Sequence, residues 1–298
     1  MMPSDACKVL SEQLRSSPFD PNASIEALRS SMREAVAEPG TTVTPVDAGG
    51  VPGEWVVADG ADPDRRMLYL HGGGYIVGSA ATHRNLTSRL SHRAGVAVLS
   101  LDYRLAPEHP FPAAVEDSTN AMAWMSQNGP DESAPATTTF VAGDSAGGGL
   151  AIATLITTRD NGGRQADAAV GISALTDLTL SGASIETQKD NDVLLSRESL
   201  QRTIRDALPD GDVENPLISP LLADLSDLPP LYMIVGGAEI LLDDTTRLVD
   251  KAQLAGVDAT VDVHPGLMHV FPLFAALLPE GQEAIDSTAA FLTRVAPA

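Results

Sequence analysis

A serine between two glycines is the residue of this chain best suited to covalent chemistry. Residues 143–147 read Gly-Asp-Ser-Ala-Gly and fit the pattern Gly-x-Ser-x-Gly, with Ser145 at its centre. A β-branched, apolar segment precedes the pattern, and an apolar segment typical of a buried helix follows it. A serine on a sharp turn from strand to helix presents its Oγ to a substrate carbonyl. Ser145 is therefore the candidate nucleophile, and the alternative is a glycine-rich turn with an idle serine.

A second glycine-rich segment could stabilise the anion that such an attack creates. Residues 71–74 read His-Gly-Gly-Gly and follow the apolar run 67–70. Ester hydrolysis passes through a tetrahedral oxyanion, and losing one preorganised N–H donor typically costs about 10² to 10³ in rate. We expect the donors to be the N–H groups of Gly73, Gly74 and Ala146. The alternatives are a flexible glycine loop or a phosphate-binding loop, but the lysine and hydroxyl residue of a phosphate-binding loop do not follow.

The base of a catalytic triad should follow the serine in a chain of this type. Of the six histidines, only His264 and His269 lie after Ser145. His264 ends a strand-like segment, whereas His269 lies in the loop that follows it. Open α/β sheets place their chemistry in loops at the carboxyl ends of parallel strands, which favours His269. His83 and His92 lie on an early polar helix and are predicted to face solvent.

The acid of the triad should follow a strand between the serine and the histidine. Residues 231–235 form a strand-like run, and Glu239 lies in the loop after it. Asp243 and Asp244 come next, at the start of a helix-like stretch. Carboxylates at that position commonly cap free N–H groups and favour the helix dipole. Glu239 is therefore favoured as the acid, with Asp243 as the alternative.

These motifs, in this order, resemble the bacterial hormone-sensitive-lipase-like esterases, also called family IV carboxylesterases, of the α/β-hydrolase superfamily. The resemblance runs from about residue 40 to the C-terminus and also includes Asp-Tyr-Arg-Leu-Ala-Pro-Glu-His-Pro-Phe-Pro-Ala at 102–113, Ser-Pro-Leu at 219–221, Leu-Pro-Pro at 228–230 and Gly-Leu-Met-His at 266–269. It implies a triad of Ser145, Glu239 and His269, with oxyanion donors on Gly73, Gly74 and Ala146. The family more often has aspartate where this chain has Glu239, so its loop must absorb one more methylene group.

Strand-like and helix-like segments alternate from residue 41 onward, which predicts a mostly parallel sheet with helices on both faces. The eight strand-like segments lie at 41–46, 54–58, 67–71, 97–101, 139–143, 168–173, 232–236 and 260–264. The resemblance implies an α/β-hydrolase domain at 41–298, with a helical cap built from residues 1–40 and a second segment at about 178–215. Alternatively, the apolar residues at helical spacing in 1–38 pack on the body of the domain.

Composition narrows the classes of partner and compartment. The chain has 298 residues and a formal net charge of −21, which disfavours nucleic acid and anionic membrane surfaces as partners. Its one cysteine, Cys7, allows no intrachain disulfide and fits a reducing cytoplasm. No signal peptide is visible, and no apolar run approaches the roughly 18 residues of a membrane span. The acidic run at 190–192 lacks the spacing of an EF-hand loop and is predicted to be solvated.

The expected activity is therefore two-step acyl transfer on small esters, with no metal or organic cofactor. The resemblance implies short to medium acyl chains, because a family cap closes a limited pocket. Hydrolysis of lactones, carbamates or amides on the same triad stays an alternative, as does a protein that binds small molecules without turnover. The expected partner is a small-molecule ester, and the resemblance also implies a homodimer through the sheet edge near 260–264 as one possible assembly.

Overall fold

In a computed structural model of the chain, which describes residues 3–16, 20, 22–131 and 134–297, eight strands form one central sheet. The strands are β1 (Thr41–Asp47), β2 (Pro52–Ala58), β3 (Asp62–Leu70), β4 (Val96–Leu101), β5 (Thr138–Asp144), β6 (Ala168–Ile172), β7 (Leu231–Gly236) and β8 (Ala259–His264). Their order across the sheet is β1-β2-β4-β3-β5-β6-β7-β8. The strand β2 pairs antiparallel with β1 and β4, and the pairs from β4 to β8 are parallel. The predicted mostly parallel sheet of eight strands is confirmed.

Helices cover both faces of this sheet. They are α1 (Asp5–Arg15), α2 (Ile25–Ser31), α3 (Arg84–Ala94), α4 (Ala113–Met125), α5 (Ala146–Asp160), α6 (Ser184–Thr187), α7 (Arg197–Ala207), α8 (Leu242–Leu254) and α9 (Pro279–Val295). Leu150 of α5 and Leu248 of α8 pack in one apolar core, whereas Leu90 of α3 and Leu292 of α9 pack in a second core. Alternate residues of a strand point to opposite faces, so Leu68 of β3 enters the first core and its neighbour Met67 the second.

The central strands are largely apolar because helices cover them on both sides. Every residue of β4, β6 and β7 is buried. Parallel strands buried on both faces have nearly continuous runs of apolar residues, in contrast to the alternating pattern of half-exposed strands. Because β3, β5, β6 and β7 run parallel, their carboxyl ends lie at one edge of this buried sheet, where the loops that carry polar side chains emerge.

The N-terminal helices pack on the body through part of their predicted apolar stripe. Cys7 and Leu28 are buried, whereas Met32 and Val36 are 39% and 82% exposed. The predicted helical spacing of these last two residues is wrong because α2 ends at Ser31 and the chain continues without helix. There Ala35 donates its N–H to the carbonyl of Ala81 instead of continuing a helical pattern.

The early polar helix that was predicted to carry His83 and His92 begins later than expected, which changes the position of one histidine. A short 3-10 helix spans Ala81–His83, and α3 follows from Arg84. His92 on α3 is exposed, as predicted, but His83 is only 2% exposed, so the prediction that it faces solvent is wrong. The 3-10 turn directs its ring inward, where it meets a buried carboxylate. None of the helices in the described part of the chain has the length and apolar character that a bilayer span requires.

Candidate active site

The candidate nucleophile lies on a strained turn between β5 and α5. Ser145 has φ 53° and ψ −122°, a conformation that non-glycine residues rarely adopt. Its neighbour Gly147 passes so close to β3 that an added Cβ would lie 2.0 Å from the carbonyl oxygen of Leu70. Glycine is therefore required there by close approach of two backbones, and this packing holds the turn in its strained form.

Three side chains from separate loops meet at this turn. The Oγ of Ser145 lies 3.0 Å from Nε2 of His269, and Nδ1 of His269 lies 3.0 Å from Oε1 of Glu239. His269 is 4% exposed and Glu239 is fully buried. His264, the alternative base, ends β8 and packs its ring against Phe271 instead. The structure thus brings together the three residues favoured from the sequence.

The buried carboxylate controls the charge of the histidine. Burial alone would lower the pKa of His269, but the negative charge of Glu239 and its hydrogen bond outweigh burial and raise that pKa above its ordinary value. The carboxylate therefore stabilises the imidazolium that would form when His269 accepts the serine proton.

Two donors hold the other oxygen of Glu239. Its Oε2 accepts hydrogen bonds from the Ser173 hydroxyl at 2.7 Å and from the Gly236 N–H at 2.9 Å. The Ser173 Oγ also accepts from the N–H of Val270 at 3.0 Å, so it links the acid to the loop that carries His269. Sequence reasoning missed Ser173. The available signal was its position directly after β6, because the neighbouring parallel strand β5 places Ser145 at the same edge.

Asp243, the alternative acid, faces a different part of the chain. Its Oδ2 accepts from the N–H of Ser184 at 3.0 Å. The Oδ2 of Asp244 accepts from the N–H groups of Thr176 and Asp177, both at 2.9 Å. Both aspartates lie in the first turn of α8, as predicted, but they bind N–H groups of neighbouring segments rather than free N–H groups of their own helix.

The prediction that the acidic run at 190–192 is solvated is wrong for Asp192. Asp192 is half-buried, and its Oδ1 accepts from the N–H groups of Leu194 and Leu195, each at 2.9 Å. Its Oδ2 accepts from the N–H of Ile240 at 2.9 Å. Because Ile240 follows Glu239, Asp192 connects the loop of the acid to a segment of the predicted cap. It is a structural contact and not part of a fully solvated loop.

A cavity of about 410 Å³ opens beside these residues. Gly73, Gly74, Ser145 and His269 line it, together with apolar side chains that include Ile76, Val77, Leu194, Leu195, Leu200, Leu273 and Phe274. Among the described residues that line the cavity, none is a lysine or an arginine. Within residues 3–16, 20, 22–131 and 134–297, no cluster of three or more histidine, cysteine or carboxylate side chains could hold a metal ion. The cavity is suited to a neutral, largely apolar molecule.

Both predicted cap segments contribute to the wall of this cavity. Met32 comes from the N-terminal segment, and Ser199, Leu200 and Thr203 come from α7. The two segments also contact each other, since Arg202 of α7 donates to the carbonyl of Ala23 at 2.5 Å. A substrate carbonyl over Ser145 would therefore be enclosed by both segments.

Comparison with known proteins gives consistent matches. A family described as the alpha/beta hydrolase fold matches residues 67–273. An acetyl-hydrolase of Streptomyces hygroscopicus is 43% identical over 254 residues, which cover 85% of this chain and 82% of that protein. An esterase of Acinetobacter venetianus is 34% identical over 277 residues, covering 92% and 89%. The crystal structure of EstE5 soaked in ethyl alcohol superposes with a TM-score of 0.93 at 36% identity, covering 99% of this chain and 100% of that one. An esterase from the bacterial hormone-sensitive lipase family superposes with a TM-score of 0.88 at 37% identity, covering 99% of both chains.

Proposed function

Because the chain belongs to the α/β-hydrolase family and is a carboxylic ester hydrolase of the hormone-sensitive-lipase-like group, we propose that it cleaves short- to medium-chain esters through Ser145, His269 and Glu239. The observation that carries this proposal is the unbroken chain of contacts, each 3.0 Å long, from Ser145 Oγ through the His269 ring to Glu239. A hydroxyl, an imidazole and a buried carboxylate in this order form a serine-hydrolase triad.

In the proposed first step, Nε2 of His269 accepts the Ser145 proton as Oγ attacks the ester carbonyl. The N–H groups of Gly73, Gly74 and Ala146 stabilise the resulting oxyanion. His269 then donates its proton to the leaving alcohol, which leaves an acyl group on Ser145. In the second step His269 takes a proton from water, the hydroxide attacks the acyl group, and the acid leaves as Ser145 regains its proton.

The size and lining of the cavity support the substrate class. A volume of about 410 Å³ lies in the lower part of the range for small-molecule sites, which is about 300 to 1,000 Å³. Its apolar wall favours an uncharged acyl chain, and the similarity to an acetyl-hydrolase supports a short one. Lactones, carbamates and amides stay alternative substrates because they react through the same tetrahedral step.

Three further points belong to the same proposal. Residues 1–40 and about 178–215 act as a cap, which the lining residues from both segments support. A cytoplasmic location is supported by the single, buried cysteine Cys7. A homodimer through β8 is supported by its place at the edge of the sheet, where Val263 is 38% exposed.

The test is hydrolysis of p-nitrophenyl esters from acetate to palmitate by the wild type, Ser145→Ala and the exposed control Ser16→Ala. We expect a rate that peaks at short acyl chains, is unchanged in Ser16→Ala and falls on the order of 10⁶-fold in Ser145→Ala. Substantial residual activity in folded Ser145→Ala would refute the nucleophile assignment. A maximum at palmitate, a long acyl chain, would refute the substrate class.

A further inference from the structure

A buried histidine and a buried aspartate form a pair directly behind the proposed nucleophile. Nε2 of His83 lies 3.3 Å from Oδ1 of Asp144, and both side chains are 3% exposed. Asp144 precedes Ser145 at the end of β5. Both members of the pair also line the cavity that contains Ser145. Neither His83 nor Asp144 has a role in the proposed triad mechanism.

The contacts of His83 fix the orientation of its ring. A carboxylate only accepts hydrogen bonds, so Nε2 of His83 carries the hydrogen that points to Asp144. The other ring nitrogen, Nδ1, lies 2.8 Å from Oγ1 of Thr82 and 3.2 Å from the carbonyl oxygen of Ser79. Both ring nitrogens therefore have partners, which holds the ring in one orientation.

The same carboxylate oxygen also holds the start of the proposed oxyanion loop. Oδ1 of Asp144 accepts from the N–H of Gly72 at 3.0 Å and from the hydroxyl of Tyr69 at 2.8 Å. The contact is so close that a Cβ on Gly72 would lie 2.2 Å from Oδ2 of Asp144. Gly73 and Gly74 follow directly, so a movement of Asp144 would shift the two amides proposed to bind the oxyanion.

The charge of Asp144 creates a problem that His83 solves. A bare carboxylate beside Ser145 would oppose the negative charge that develops on the substrate oxygen, and it would do so strongly in a water-excluded site. Without a partner, a buried carboxylate tends to take up a proton, and the resulting hydroxyl would need an acceptor in place of a donor. Burial alone would lower the pKa of His83, but the negative charge of Asp144 and the hydrogen bond between them raise it. This favours the imidazolium form of His83, whose positive charge offsets that of Asp144 and keeps the carboxylate an acceptor for Gly72.

We propose that His83 is a positioning residue for ester hydrolysis: through Asp144 it holds the Gly72–Gly74 loop in place and offsets the carboxylate charge next to the developing oxyanion. This inference rests on the proposed function, because it identifies the residues that hold the proposed oxyanion donors in position. It concerns only transition-state stabilisation, so the binding of neutral substrate should change little.

The decisive variant is His83→Gln, whose amide can still donate toward Asp144 but carries no positive charge. We expect kcat to fall about 10- to 100-fold, less than the loss of a whole oxyanion donor, with KM within about twofold of the wild type. The inhibition constant of an alkyl boronic acid, which forms an anionic tetrahedral adduct with a serine, should rise by the same factor. The matched control is His92→Gln on the exposed face of α3, which should leave both values unchanged.

A double-mutant cycle with Asp144→Asn tests whether His83 acts through Asp144. The amide oxygen that this substitution introduces accepts hydrogen bonds more weakly than a carboxylate, so it holds the N–H groups of Gly72 and His83 less firmly. Asp144→Asn therefore tests the same contact between His83 and Asp144, and it does so even if His83→Gln does not fold. We expect Asp144→Asn to raise the boronate inhibition constant, and the double variant to be no more than about threefold worse than Asp144→Asn alone.

Three results would overturn the inference. The first is a double variant whose loss equals the product of the two single losses. The second is a loss of kcat in His83→Gln that disappears when the rate is divided by the titrated fraction of active sites. The third is an unchanged boronate inhibition constant in both single variants. Loss of ester hydrolysis in Ser145→Ala is measured separately, so failure of this inference leaves the proposed function intact, whereas an active Ser145→Ala would refute both.

Discussion

Glu239→Gln is the substitution that most directly tests which group orients His269. The two carboxylate oxygens have different partners: Oε2 accepts from the N–H of Gly236 at 2.9 Å, and Oε1 faces Nδ1 of His269 at 3.0 Å. A backbone N–H can only donate, so the glutamine oxygen must take the place of Oε2. The glutamine NH₂ group must then take the place of Oε1 and face His269.

This forced orientation inverts the tautomer of the histidine. An NH₂ group only donates, so Nδ1 of His269 must accept and its single proton moves to Nε2. Nε2 then cannot accept the proton of Ser145. Comparable loss of the correct tautomer in a serine protease lowers kcat by about 10⁴. We expect kcat/KM to fall about 10³- to 10⁴-fold, which corresponds to roughly 4 to 5.5 kcal/mol of transition-state stabilisation.

The assay is hydrolysis of p-nitrophenyl butyrate, with Asp243→Asn as the matched control because it removes the same charge four residues further along the chain. Asp243→Asn keeps an oxygen for the N–H of Ser184 and should stay within about threefold of the wild type. Glu239→Ala should likewise lose more activity than Asp243→Ala. The reasoning is refuted if Glu239→Gln stays within tenfold of the wild type, or if the order of the two positions is reversed.

Two further predictions concern stability. Ser173→Ala leaves the buried N–H of Val270 without its acceptor and removes one donor from Glu239, so we expect a loss of about 2 to 4 kcal/mol in the free energy of unfolding; a loss below about 1 kcal/mol in denaturant titrations would contradict this. Burial raises the pKa of Asp244 from 3.8 to about 7, so the folded state binds a proton that the unfolded state releases. The contribution of Asp244 to stability should therefore fall by roughly 4 kcal/mol as the pH rises from about 4 to about 7, and Asp244→Asn should lack this contribution; equal slopes of Tm against pH in the two proteins would contradict it.

The sequence predicted the sheet well because its strands are recognised by local composition. The strand predicted at 260–264 is observed as Ala259–His264, and the one predicted at 232–236 is observed as Leu231–Gly236. The helix start near residue 82 was harder to predict, because polar residues there suggested an exposed helix while the structure begins with a 3-10 turn.

The candidate triad was accessible to sequence reasoning because parallel strands bring their following loops to one edge. Ser173 followed the same rule but was missed, since a lone serine after a strand matches no motif. Asp192 was misread because its partner, the N–H of Ile240, lies 48 residues away in the chain. Contacts of this kind depend on how two loops pack, which a local pattern of polar residues does not specify.

His83 shows how a buried charge could guide such predictions. Its polar surroundings in the sequence suggested a solvent-facing residue, whereas its partner Asp144 lies 61 residues later, between a buried strand and a buried helix. A carboxylate in that position must find donors or a positive charge, since leaving it unpaired costs several kcal/mol. The aspartate of Gly-Asp-Ser-Ala-Gly therefore requires buried donors in any fold that buries the motif. The side chains able to supply them, Tyr69 and His83, flank the glycine-rich segment 71–74 that the same carboxylate anchors, so one electrostatic requirement links the turn of the candidate nucleophile to the proposed oxyanion loop.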